Sequence, residues 1–147
     1  MRRQLLNVTM SWVLGVRLRR TILNSLGLKL ARDAKVSRGT RLGGINIVFG
    51  DGAGANEECW IDDHVTVGRN ARLGPRVTVI TATHEIGAAD QRRGQSDVSR
   101  PVIIGEGAWI QTGSTILPGA HIAPGCVVYA NAVEIKLVGS ADRLGVI

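Results

Sequence analysis

Aromatic residues are scarce in this chain: three Trp, one Tyr and one Phe among 147 residues. Its core must therefore be filled by Ile, Val, Leu and Ala. Cysteine is scarcer still. Cys59 and Cys126 are too few for a disulfide framework or a zinc knuckle, and no Cys-x-x-Cys spacing occurs. With no secretory signal either, a reducing cytoplasm is the expected compartment. Near the start, the uncharged stretch from Gln4 to Val16 has 13 residues, short of the roughly 20 that a membrane-spanning helix needs. Glycine is plentiful, at 19 residues, yet no Gly-x-y period accompanies it and 44% of the chain is apolar. A collagen-like or disordered chain is thereby excluded. A β-branched, Gly-rich, aromatic-poor chain of this length points to one domain of repeated strands and tight turns.

Acid is also in deficit. Twelve Asp and Glu stand against 18 Lys and Arg, 15 of them Arg, for a net charge of +6. Such a surplus suits an anionic partner without choosing one, and a plain solvated basic surface accounts for it equally well. Nucleic acid is not expected, because the Arg residues are scattered and no aromatic platform accompanies them.

What the sequence does contain is a six-residue period. Aliphatic residues recur at Val36, Leu42 and Val48, at Ile61, Val67, Leu73 and Val79, and at Ile104, Ile110, Ile116, Ile122 and Val128. Four positions on there is nearly always a small or β-branched residue, as at Thr40, Ala71, Ala108, Ser114, Ala120 and Cys126. One inward aliphatic residue per hexad, stacked on its counterpart in the next turn, describes a coil of short strands. Three hexads make a triangular turn of 18 residues, which predicts Ile61 over Val79 and Ile104 over Ile122. Cys126 falls in the small slot and reads as packing.

The breaks in phase divide the chain. Val48 to Ile61 is one residue too long for two hexads, so a bulge is expected near 50–58. Residues 84–100 have no periodicity and read as a protruding loop, where functional groups tend to gather. Glu134 occupies an inward slot, so 134–147 reads as a tail. Residues 1–32 lack hexads. Leu5, Val8 and Trp12, then Leu18, Ile22 and Leu26, recur at helical spacing. A helical cap over the first coil is the expected role, ahead of attachment to a membrane surface. The expected organisation is thus a cap over 1–32, a coil over 33–133 and a tail.

The hexads resemble those of the left-handed parallel β-helix acyltransferases. Two segments narrow the resemblance: Ile80-Thr81-Ala82-Thr83-His84, and Pro101 to Ile110 followed by Ile116-Leu117-Pro118-Gly119. Together they are similar to the maltose and galactoside O-acetyltransferase branch. The resemblance implies an all-β solenoid, acetyl-CoA as cosubstrate, no metal, a sugar or other small-molecule acceptor, and a homotrimer with sites between subunits. It implies that His84 is the general base, a task for which imidazole is suited near neutral pH. The oxyanion donor would be the backbone amide of Thr112, with Gln111 standing where relatives carry Gly. Ala130, Lys136, Arg143 and Trp109 match cofactor contacts. Asn56 and one of Asp62 or Asp63 match acceptor contacts, and Glu85 beside the base is a further candidate. Plain corner chemistry explains the Asn and Asp residues equally well.

Two other classes compete. A purely structural β-helix is suggested by Gln111 and by the irregular ending. A zinc enzyme built on this coil needs three convergent histidines with a closely spaced pair, whereas His64, His84 and His121 are widely separated.

Overall fold

The structure, a computed structural model, describes residues 15–134. Within them the chain winds into a parallel β-helix of five coils with three faces, each a five-stranded parallel sheet. Face A stacks β1 (Lys29–Leu30), β4 (Ile47–Phe49), β7 (Val65–Val67), β12 (Val102–Ile104) and β15 (His121–Ile122). Face B stacks β2 (Lys35–Val36), β5 (Gly54–Ala55), β8 (Arg72–Leu73), β13 (Trp109–Ile110) and β16 (Val127–Val128). Face C stacks β3 (Arg41–Leu42), β6 (Trp60–Ile61), β9 (Thr78–Val79), β14 (Thr115–Ile116) and β17 (Val133–Glu134).

The last residue of each strand points along the axis and is buried. Ile61 pairs with Val79 and Ile104 with Ile122, the register expected from the period. Burying each such Leu, Ile or Val contributes about 1.5–3 kcal/mol, so this column is the main source of stability. At the corners the backbone turns through left-handed residues, including His64, Asn70, Arg76 and Asn131 alongside several glycines. Asn tolerates that conformation well.

The structure corrects the phase and bounds of the repeat. Strand β4 buries Ile47 and Phe49 and leaves Val48 facing outward. The extra residue therefore lies between Leu42 and Phe49, at the Gly43–Gly44 corner, and not in 50–58. Phe49, Ala55 and Ile61 then fall on a strict hexad; a search for large aliphatics passes over Ala55 because the slot there is small. The coil begins at Lys29, not 33, and runs through Glu134. That residue sits in the inward slot above Ile116 and is only 7% exposed. Burial pushes its carboxyl above the ordinary glutamate range.

Residues 84–100 also differ from expectation. They belong to an antiparallel ribbon, β10 (Ala82–Ile86) paired with β11 (Arg93–Ser99), that leaves the coil at the corner between faces C and A. Its alternation was illegible because neither face of the ribbon joins the core.

Helix α1 (Val16–Ser25) packs on β1 and β2 over the first coil, as a cap would. Its most buried residues are Arg19 and Leu23; of the expected stripe, Leu26 packs against the core and Ile22 is half-buried, whereas Leu18 is exposed. Arg19 Nη1 donates to the Val36 carbonyl at 3.0 Å. Asn24 pairs in both directions with the backbone of Leu30, at 2.9 Å each way, which satisfies part of the open edge of β1. Leu5, Val8 and Trp12 lie outside the described residues. Among the described residues no helix is long and apolar enough to cross a membrane.

Candidate functional site

The residues singled out by sequence collect at two different corners. At the C–A corner the ribbon carries His84 and Glu85, directly above Asp62 and Asp63 of the preceding coil. His84 lies opposite Asp97 in the ribbon. Its Nδ1 is 3.0 Å from Asp97 Oδ1. The approach is off the N–H direction, so the two groups lie close without a directed hydrogen bond. With Nδ1 turned inward, Nε2 is the nitrogen left to meet a substrate. The side chain is 31% exposed, so solvent and ligands reach the ring. Glu85 is exposed and makes no such contact.

Both candidate acceptor carboxylates have structural employment. Asp62 Oδ2 accepts from the Thr81 N–H at 3.1 Å and, weakly, from the Ala82 N–H at 3.5 Å. Its Oδ1 accepts from Trp60 Nε1 at 3.0 Å. The carboxylate thus holds the root of β10, two residues before the imidazole. Thr81 is itself buried, and its hydroxyl donates to the Asp63 carbonyl at 2.8 Å. Asp63 accepts from the Asn46 backbone at 2.7 Å and its amide side chain at 2.9 Å. Partial burial alone would raise the Asp63 carboxyl. The bonds from Asn46 and His64, with His64's own field, outweigh it and hold the group below its ordinary range. Gly44 makes room for this carboxylate: a Cβ there would lie 2.2 Å from Asp63 Cγ.

At the B–C corner a groove of 380 Å³ brings together Asn56, Trp109, Thr112 and Ala130 with Gly74, Pro75 and Gln111. Four residues chosen separately from sequence thus share one concavity. Trp109 projects from face B, half exposed. Thr112 lies beyond the end of β13, and Gly74 clears its amide, since a Cβ at Gly74 would come within 2.8 Å of Thr112 N. Gln111 stands one coil above Gly74. Its Oε1 accepts from the Ala130 N–H at 3.1 Å, across the groove wall. Asn56 Oδ1 accepts from the Glu57 N–H at 2.8 Å, which leaves its amide nitrogen available.

One face separates the two corners. Within one chain His84 and Thr112 therefore stand at opposite edges of face C, whereas a base must lie within about 3 Å of the proton it removes. Lys136 and Arg143 lie outside the described residues. Among the described residues no three metal-ligating side chains converge.

Two residues were missed from sequence. Asp97 carried no signal beyond lying in the aperiodic segment, although Gly87 and Gly94 flanking a polar stretch are a hairpin cue. Gln111 was visible as a departure from Gly, but not its reach to Ala130. Buried Cys59 needs no functional reading. Desolvation, partly offset by backbone bonds, pushes its thiol up to about 11, which keeps it protonated and inert.

Comparison with known proteins gives a consistent result. The bacterial transferase hexapeptide family, of six repeats, matches residues 101–133. The galactoside O-acetyltransferase of Lactococcus lactis is 34% identical over 96 residues, covering 64% of this chain and 46% of that protein. The chain thus spans less than half of that curated relative. A maltose O-acetyltransferase of Clostridium difficile superposes with a TM-score of 0.59 at 28% identity, covering 94% of this chain and 80% of the other. A hexapeptide-repeat acetyltransferase of Vibrio cholerae, solved with acetyl coenzyme A, gives a TM-score of 0.70 at 24% identity, covering 92% and 75%. That last likeness concerns the fold.

Proposed function

We propose that the chain is a hexapeptide-repeat, left-handed β-helix acyltransferase, a reading its repeats and its likeness to known acetyltransferases support, and that it is an acetyl-CoA-dependent O-acetyltransferase acting on a hydroxyl of a sugar or related small molecule. The observation that carries the reading is the ribbon histidine with its Nδ1 turned toward Asp97. A base needs one nitrogen presented to the acceptor, and the approach of Nδ1 to Asp97 leaves Nε2 for that task. His84 Nε2 takes the acceptor's proton as its oxygen attacks the thioester carbonyl. The tetrahedral oxyanion accepts from the Thr112 N–H of a neighbouring copy. Collapse breaks the carbon–sulfur bond, and the proton passes from His84 to the departing thiolate. Asp62 acts through the ribbon root, as a positioning residue.

The separation of the corners supports a homotrimer, in which the C–A corner of one prism meets the B–C groove of the next. The groove would take the thioester arm of CoA, with Lys136 and Arg143 as phosphate contacts. Replacing His84 by Ala should lower turnover by ~10² to 10⁴ while calorimetry still detects acetyl-CoA binding. Near-normal turnover in that variant removes the mechanism.

A second reading, a β-helix without catalysis, is favoured by one contact: Gln111 already occupies the Ala130 N–H that a ligand carbonyl would use. Absence of any acetyl-CoA affinity in the parent protein would select it.

A further inference from the structure

The third corner holds a feature that acyl transfer does not use. Between α1 and the A–B corner of the first coil lies a cavity of 960 Å³, lined in part by Arg17, Arg20, Arg32 and Lys35. Two come from neighbouring positions on the helix and two from the coil beneath it. Among the described residues the cavity's acids are Asp33 and Asp51, so four cations stand against two anions, for +2. Asp33 Oδ1 accepts from the Gly52 N–H at 2.7 Å. Glu106 chiefly holds Arg69 in its charged form, and the field of Asp51 adds to it. Among the described residues none of the four cations takes part in an ion pair. Clustered like charge opposes folding unless an anion compensates it.

We propose that this cavity is a binding site for a ligand bearing clustered phosphate oxyanions, separate from the two corners that carry out acyl transfer. Arg17 and Arg20 close on the ligand from the helix, while Arg32 and Lys35 meet it from the coil. Guanidinium groups suit phosphate because each offers a planar pair of donors. The cavity is larger than one phosphate group requires, so the ligand carries either a second phosphate or an organic body. None of the four cations lines the groove or lies at the His84 corner, so the site functions whether or not the proposed acetyl transfer is correct.

The test titrates the full chain with inorganic pyrophosphate by calorimetry. A parallel arm measures co-flotation with phosphatidylcholine vesicles, with and without about 30% phosphatidylglycerol. Pyrophosphate binding is expected to weaken by roughly tenfold or more in the Arg20→Gln/Arg32→Gln double variant. The Arg92→Gln/Arg93→Gln pair on the ribbon, with the same loss of charge, is expected to leave it unchanged. Affinity should fall as salt rises from about 50 to about 300 mM. Variant-sensitive binding to anionic vesicles alone would assign the phosphates to lipid headgroups; binding of pyrophosphate would assign them to soluble phosphoesters. No binding in either arm, or equal losses in the two double variants, overturns the site. All the substituted side chains lie at the surface, and melting curves control for folding. Should Arg20→Gln/Arg32→Gln melt early, Arg17→Gln/Lys35→Gln removes the same charge from the same cavity.

Discussion

The coil hides every isoleucine that points along its axis, whereas the ribbon leaves its own in water: Ile116 and Ile122 are fully buried, and Ile86 is 84% exposed. The same residue type thus serves opposite purposes in the two regions. In the coil each turn stacks on the last, and the backbone bonds of one coil are completed by the next. In the ribbon β10 and β11 pair mainly with each other, and the root is held by Asp62 and Thr81. Stability is concentrated where the period is unbroken. The candidate base sits where it breaks, on a two-stranded element that could not fold alone.

The largest expected effect on stability comes from the coil. Phe49 is the only phenylalanine and is almost fully buried. Phe49→Ala should cost about 3–5 kcal/mol, while Ile86→Ser at the ribbon should stay within about 0.5 kcal/mol. Denaturant unfolding of the two variants measures the contrast, and similar losses would erase it.

Next comes the joint between the two regions. Asp62→Asn replaces an acceptor of three N–H groups by a side chain with one oxygen, and the root of β10 should loosen. Turnover should fall by roughly tenfold, the worth of one or two charged hydrogen bonds, with the acceptor KM largely kept. A raised KM at unchanged kcat would instead make Asp62 an acceptor contact.

The smallest effect lies at the far end of the coil. A carboxyl raised in the fold binds more protons folded than unfolded. Stability contributed by Glu134 is therefore lost as pH climbs from the ordinary glutamate range through the raised value. Glu134→Gln removes that loss. It should raise Tm at neutral pH and change it little below about pH 4. A gain of equal size at both pH values would contradict the role of ionisation.

Much of this contrast was legible in the residues themselves. Period six gave three faces and the stacking of Ile61 on Val79, because one large side chain per hexad is a requirement of the axis. It misplaced Val48, because one extra residue at the Gly43–Gly44 corner shifts the phase and turns Phe49 inward. A polar residue in an inward slot also looked like an ending, although Glu134 still pairs above Ile116. The ribbon was legible only as an absence of period, since exposed strands carry no burial pattern. At the site, motif matches led to the four groove residues. The partners of Asp62 were beyond reach, because side-chain hydrogen bonds between coils depend on rotamers that no spacing encodes.

The central claim is that His84 of one copy serves the groove of another. Coexpression of His84→Ala with Ala130→Trp, which fills the groove, tests it directly, since each variant alone should be inactive. In randomly mixed trimers about a quarter of the interfaces pair an intact histidine with an intact groove. The account predicts recovery of acetyl transfer toward about that fraction of the parent rate. Mixtures that stay as inactive as the separate variants, although mass analysis shows that the subunits have exchanged, would contradict it.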